Sequence, residues 1–202
     1  MSELSDLYRE IATCQRCDLA KTRTKVVPGE GPEDARLLFI GEAPGYNEDI
    51  QGRPFVGQAG AFLEQLLASI SLNRRDVYIC NVIKCRPPGN ADPLPAQISA
   101  CAAWLDRQLA LIKPRMIVTL GRYSMAKFFP GESIGKIHGV VRKQGNTLYF
   151  PMYHPAAALH QPAYRKSIEE DIKKIPALLA EAEKLHNDQQ KTTVQPKQLN
   201  LF

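Results

Sequence analysis

Four short apolar runs, at residues 35–40, 76–83, 115–120 and 147–153, constrain this chain more than any other feature of it. Each is too short for a core helix, rich in Leu, Ile, Val, Phe or Tyr, and closed by a loop, which is the pattern of a strand buried on both faces. Between them lie segments with apolar residues at helical spacing: 57–69 with Phe62, Leu63, Leu66 and Leu67, then 95–112 and 122–129, and a last one from about 167 to 185. Strands alternating with helices predict βαβ units, hence an α/β fold whose parallel sheet is covered on both faces. From His186 the chain turns polar and loses apolar periodicity, so a domain over residues 1–185 and a flexible tail over 186–202 are expected.

The 202 residues, 44% hydrophobic and 23% charged, suit one globular domain. A net charge of +5 is too mild an excess to name a polyanionic partner by itself. The longest uncharged stretch, 144–164, reaches membrane-spanning length but holds three prolines and two histidines, so no transmembrane helix is expected. The N-terminus is acidic and polar where a secretory signal needs a basic start and an apolar run, which predicts a cytoplasmic protein.

In open α/β sheets the active site forms outside the carboxyl ends of the strands, and the residues at those places here are unusual. Gly41-Glu42-Ala43-Pro44-Gly45 follows the first run. Asn81 sits near the end of the second and leads into Cys85-Arg86-Pro87-Pro88-Gly89-Asn90, and His154-Pro155-Ala156 follows the fourth. Glu42 is a carboxylate facing the crevice. Asn81 can read an amide-like edge with one donor and one acceptor, and His154 can stabilise developing negative charge. Phe55, preceded by Pro54 in a glycine-rich loop, can stack on a planar ligand. Gly57 and Gly60 lack both the dinucleotide fingerprint and the P-loop ending, so a nucleotide cofactor is not expected.

Five cysteines in a chain without a signal argue against a disulfide framework. Cys14 and Cys17 form a Cys-x-x-Cys knuckle, and Cys85 and Cys101 can supply two further thiolates, while Cys80 reads as a buried strand residue. Spacing alone leaves zinc and an iron-sulfur cluster both open.

These motifs, in this order from about residue 7 to 175, resemble the family-four uracil-DNA glycosylases: Cys14-x-x-Cys17, Gly41-Glu-Ala-Pro-Gly45, Gly52-Arg-Pro-Phe-Val-Gly57, Asn81-Val-Ile-Lys-Cys85-Arg-Pro-Pro, Cys101 and His154-Pro-Ala. The resemblance implies a three-layer α/β/α fold on a four-stranded parallel sheet and a structural 4Fe-4S cluster on Cys14, Cys17, Cys85 and Cys101. It further implies that uracil, flipped from single- or double-stranded DNA, stacks on Phe55 and is read by Asn81 and by backbone at Gly41, Ala43 and Gly45. Glu42 would orient or deprotonate the attacking water and His154 would donate to uracil O2. Asn90 would assist the water, and Glu48 matches an acidic pocket residue. One related subfamily carries a basic insertion with a histidine that traps uracil covalently. Cys85 is followed here by no such insertion, so turnover is expected.

Leu159 is the expected wedge in the vacated stack, and Lys84, Arg86, Arg165 and Lys166 the expected phosphate contacts. The chain closes on Gln198-Leu199-Asn200-Leu201-Phe202, similar to the peptides that bacterial repair proteins insert into the sliding clamp, with Leu201 and Phe202 in the pocket and Gln198 at its edge. The protein is expected to act as a monomer. The competing class is a non-enzymatic iron-sulfur or zinc module that binds nucleic acid or regulates, which explains the cysteines and leaves Glu42, Phe55, Asn81 and His154 without a task.

Overall fold

The computed structural model describes residues 2–193. Helix α1 (Glu3–Ala12) starts on Ser2, whose Oγ accepts from Ser5 N at 3.2 Å, and buries Leu4, Leu7 and Ile11 on one stripe. Strand β1 (Leu37–Gly41) leads through α2 (Tyr46–Gln51) into α3 (Gln58–Ser69), and β2 (Tyr78–Asn81) leads into α4 (Pro95–Ile112). Then come β3 (Met116–Leu120), α5 (Arg122–Ala126), α6 (Ile134–Ile137), β4 (Arg142–Gln144), β5 (Thr147–Met152), α7 (Pro162–Ile172) and α8 (Ile175–Thr193). No helix among the described residues is long and apolar enough to cross a membrane.

The sheet order is β2-β1-β3-β5-β4, with four parallel strands and β4 antiparallel on the edge. The expected four-stranded parallel sheet is therefore present, extended to five by a strand of three polar residues that carries no apolar signal. Gly145 at φ 57 opens the two-residue turn that folds β4 back onto β5.

Successive strand residues point to opposite faces, and this divides the core in two. Leu37, Phe39, Met116 and Val118 pack against α3, α7 and α8. Leu38, Ile40, Tyr78, Cys80 and Ile117 pack against α1 and α4. Each such Leu, Ile or Phe contributes roughly 1.5–3 kcal/mol on burial. A one-residue slip would exchange the two faces, so the register is strongly set. The result is the expected three-layer α/β/α arrangement, with Cys80 fully buried.

Three helix expectations need correction. The segment at 122–129 is helical only through Ala126, with Pro130 close behind. The single helix expected over 167–185 is two, because Pro176 lacks an N–H and its ring would clash with the Ile172 carbonyl of a continuous helix. The polar stretch from His186, expected to be flexible, continues α8 to Thr193: once packed residues such as Ala182 anchor the helix, each further hydrogen bond needs only one more residue ordered.

Candidate active site

From β1 the chain moves to β2 on one side and later to β3 on the other, so β1 is the point where the connection reverses and a crevice opens at the strands' carboxyl ends. A cavity of about 350 Å³ lies there, with Glu42, Ala43, Gly45, Glu48, Phe55, Asn81, Asn90 and His154 in its walls, all of them expected site residues. Pro44, Ala59, Pro87, Ala91 and Ala156 complete the lining. Ala59, in the first turn of α3, and Ala91 are small and apolar and carry no sequence signal of their own. Gly41 lies beneath: a Cβ there would fall 2.4 Å from Asn81 Oδ1 and 2.7 Å from the Phe55 ring, so only glycine leaves both side chains in place.

Asn81 is 2% exposed, and among the described residues its Oδ1 has no hydrogen-bond partner. A buried acceptor left open costs about 1–3 kcal/mol, which a ligand N–H would recover. Its amide is thus the strongest polar recognition element in the cavity.

His154 caps the 3-10 turn Pro155–Leu159, and its Nδ1 accepts from Ala156 N at 3.1 Å. A neutral imidazole accepting at Nδ1 carries its proton on Nε2. Burial lowers the His154 pKa to about 4, with Glu48 opposing, so the ring is a neutral Nε2–H donor through the physiological range. It stacks on Phe55 at 5.5 Å between centroids and 26° between planes.

Phe55 itself has φ 53, a conformation that a bulky residue holds only when its surroundings impose it. Arg74 imposes it by donating to Phe55 O at 2.8 Å and also to Pro54 O, while Glu30 holds Arg74 Nε at 3.1 Å and Arg53 Nε at 2.7 Å. Gly60 allows the approach, since a Cβ there would lie 1.9 Å from Phe55 O. Arg74, nineteen residues from Phe55, could not be read from sequence.

Glu42 is half-buried, and its pKa is raised to about 7, first by burial and then by Asp92, against the lowering effect of Arg122. Asp92 and Arg122 form an exposed ion pair beside it. Glu48 plays a different part: its Oε1 accepts from Val56 N and Gly57 N, both at 2.8 Å, and its Oε2 from Gly45 N at 3.1 Å. It binds the two pocket loops together. Asn90, at φ 55, has its Oδ1 held by Arg86 Nε at 2.7 Å, and the Arg86 guanidinium lies 5.0 Å over the Tyr46 ring at the rim.

One expected phosphate contact is wrong. Lys84 is 1% exposed, inside the protein, and its Nζ donates to Asn81 O at 2.7 Å, so it cannot reach a DNA backbone. Leu159 is 43% exposed beyond Ala156. Arg165 pairs with Glu169 and lies over the Phe62 ring, and Lys166 is exposed beside Glu170. The expected clamp-binding residues Gln198, Leu199, Leu201 and Phe202 lie outside the described residues.

A second, smaller cavity is lined by Cys14, Cys17, Cys85 and Cys101 together with Arg23, Lys84 and Trp104. Three of the sulfurs accept N–H groups: Cys14 from Trp104 Nε1 at 3.3 Å, Cys85 from Arg23 Nη1 at 3.2 Å and Cys101 from Lys84 N at 3.3 Å. Among the described residues no three His, Cys, Asp or Glu side chains are grouped as for a single metal ion. Buried Asp49, next to Glu48, accepts from Thr24 N at 2.9 Å and so ties α2 to the segment that follows Cys17.

The sequence profile of the Uracil DNA glycosylase superfamily matches residues 28–175, which carry all of the first cavity. The chain is 46% identical over 187 residues to the Type-4 uracil-DNA glycosylase of Archaeoglobus fulgidus, covering 88% of this chain and 94% of that one. It is 48% identical over 188 residues to the Type-4 uracil-DNA glycosylase of Sulfurisphaera tokodaii (88% and 86% covered) and 41% identical over 183 residues to that of Thermotoga maritima (88% and 95%). With its strand-end cavity inside the matched region and its similarity running nearly end to end, this chain belongs to the uracil DNA glycosylase superfamily.

Proposed function

We propose that the protein is a uracil-DNA glycosylase that flips uracil out of DNA and hydrolyses its N-glycosidic bond, leaving an abasic site for base excision repair. The observation that carries this reading is the buried, unpartnered Asn81 Oδ1 in the wall of a cavity that also holds Glu42, Phe55 and His154. Uracil presents N3–H beside the O4 acceptor, the edge that an amide's oxygen and nitrogen match together. Cytosine presents the opposite pair. Phe55 stacks on the flipped base, and backbone at Gly41, Ala43 and Gly45 closes the remaining edge. A non-enzymatic module would leave these groups without a task.

As the C1′–N1 bond breaks, its electron pair moves into the uracil ring and charge gathers at O2, where the neutral His154 Nε2–H donates. The Glu42 carboxylate favours the cationic sugar, takes a proton from water as its oxygen bonds to C1′, and is assisted by Asn90. Arg86 at the rim, with Arg165, Lys166 and the Leu159 wedge beyond it, supports binding and opening of the duplex. The decisive assay is incubation with an oligonucleotide carrying one uracil, followed by alkali cleavage: strand scission at that position is expected, and an intact strand overturns the reading.

The same chemistry sets a pH dependence. Glu42 works deprotonated, and its pKa is raised to about 7, so kcat/KM should fall about tenfold per unit below pH 7 and level off above it. His154, lowered to about 4, adds no break in that range. Removing the neighbouring charge with Asp92→Asn should move the midpoint to lower pH. A profile flat from pH 5 to 8 contradicts the assignment of Glu42.

Four cysteines line one cavity and three of their sulfurs accept N–H groups, as thiolate ligands do, and the resemblance to the family-four glycosylases supports a 4Fe-4S cluster as the group they hold. Cys14 and Cys17 of the knuckle, with Cys85 of the loop and Cys101 of the helix, would hold the cluster, which would tie those segments together. Protein purified without oxygen should be brown and contain iron and sulfide, and Cys80→Ser should leave the iron content unchanged. A colourless protein with stoichiometric zinc reverses the assignment.

Cytoplasmic and monomeric, the enzyme is further proposed to dock on the sliding clamp through Gln198, Leu199, Leu201 and Phe202, a tether that raises local concentration on DNA without new contacts to the base. A peptide of residues 195–202 should bind the bacterial clamp by calorimetry. Absence of heat at high micromolar concentration removes this partner.

A further inference from the structure

Among the described residues Lys84 is one of the largest fully buried side chains, 1% exposed, yet no carboxylate there is paired with it. A buried charge without countercharge is costly, so a lysine in this position needs a physical reason. Two contacts indicate what it is. Its Nζ donates to the main-chain oxygen of Asn81 at 2.7 Å, and its own N–H donates to Cys101 Sγ at 3.3 Å. Lys84 also lines the four-cysteine cavity, and its side chain is within electrostatic reach of Cys101 and Cys80. One residue thus touches both the proposed cluster site and the residue that reads the base.

Four thiolates around a 4Fe-4S core carry a net negative charge, in a cavity whose lining is completed by apolar Ile11, Ala20, Val26, Ala100 and Trp104 and by the cationic residues Arg16, which is exposed, Arg23 and Lys84. Arg23 approaches that charge from the Cys85 side. Lys84 lies on the Cys101 side, between the cavity and β2. We propose that the Lys84 ammonium is the buried countercharge of the four-thiolate cavity and, through its hydrogen bond to the Asn81 carbonyl, a positioning residue that couples filling of that cavity to the placement of the base-reading amide. The proposal rests on the cluster and on the role of Asn81 given above. It explains why this lysine is interior although it stands beside the exposed, basic rim of the pocket.

The test compares holoprotein carrying Lys84→Met, which keeps much of the volume without the charge, with Lys84→Arg, which keeps the charge. Lys84→Met should shift the cluster's midpoint potential to more negative values, because removing a positive charge disfavours the more reduced state. It should also lower kcat for uracil excision about tenfold to a hundredfold, the size of a lost hydrogen bond from a charged donor, with little change in Ki for an abasic-DNA competitor. Placed in an Asn81→Ala background, the same substitution should cost almost nothing further, since a residue acting through Asn81 has no effect once Asn81 is gone. If Lys84→Met fails to load iron while Lys84→Arg loads it, the charge is what the cavity requires. Wild-type potential and kcat in Lys84→Met, additive losses in the double variant, or equal failure of both variants to load iron would overturn the proposal. Iron-free wild-type protein would instead defeat the cluster assignment, so the two failures are distinguishable.

Discussion

Glu42→Gln is expected to lower the single-turnover rate of uracil excision by about 10² to 10⁴, the range associated with a positioned general base. Glutamine keeps the shape and volume of the side chain, so the cavity of Gly45, Phe55 and Asn81 should survive and binding of abasic-site DNA should hold within roughly threefold. What it loses is both the proton acceptor and the negative charge facing the cationic sugar. The acid limb of the pH profile should vanish with it, because that limb belongs to a carboxyl whose pKa is held near 7 by burial and by Asp92. A variant retaining a tenth or more of the wild-type rate would place the base elsewhere, and Glu48, the other carboxylate lining the cavity, would be the next residue to test.

His154→Asn is the second large expected effect, about 10² to 10³ in kcat, as for removal of one donor to a developing anion. Asparagine is chosen over alanine for a structural reason. Nδ1 of His154 caps the turn that begins at Pro155 by accepting from Ala156 N, and an asparagine oxygen can keep that bond while nothing replaces the Nε2–H. The fold, and with it the Leu159 loop, should therefore persist, and the loss should appear in the chemical step. The stacked partner of Phe55 also disappears, so a moderate rise in KM accompanies it. A rate close to wild type would mean that uracil O2 takes its hydrogen bond from another donor. The two effects should not add fully, since Glu42 and His154 act on opposite sides of one breaking bond.

Much of this architecture is legible in the chain itself. The runs that became β1, β2, β3 and β5 were legible because strands buried on both faces need uninterrupted apolar sequence, and Glu42, Asn81 and His154 were legible because they stand where those runs stop. The polar edge strand β4 was not, since it is held by pairing with β5 and not by an apolar pattern of its own. The break between α7 and α8 was present in Pro176 and is readable once a proline inside an apolar pattern is taken to end a helix. Lys84 misled because it lies between Ile83 and Arg86 in a segment whose basic residues look alike in one dimension.

Sequence by itself determined the local quantities: where the four buried parallel strands run, where the chain turns after each of them, and which reactive side chains stand at those turns. These depend on a few neighbouring residues and on burial pattern, both written along the chain. Only the tertiary structure decided what meets across it: Arg74 on the strained Phe55 carbonyl, Glu48 across two loops, Lys84 between Asn81 and Cys101, and Asp92 with Arg122 beside Glu42. Those contacts follow from the strand order, which brings distant segments together at one sheet end. Burial there sets the pKa of Glu42 and the charge state of His154, and burial is a property of the closed fold, not of any segment taken alone.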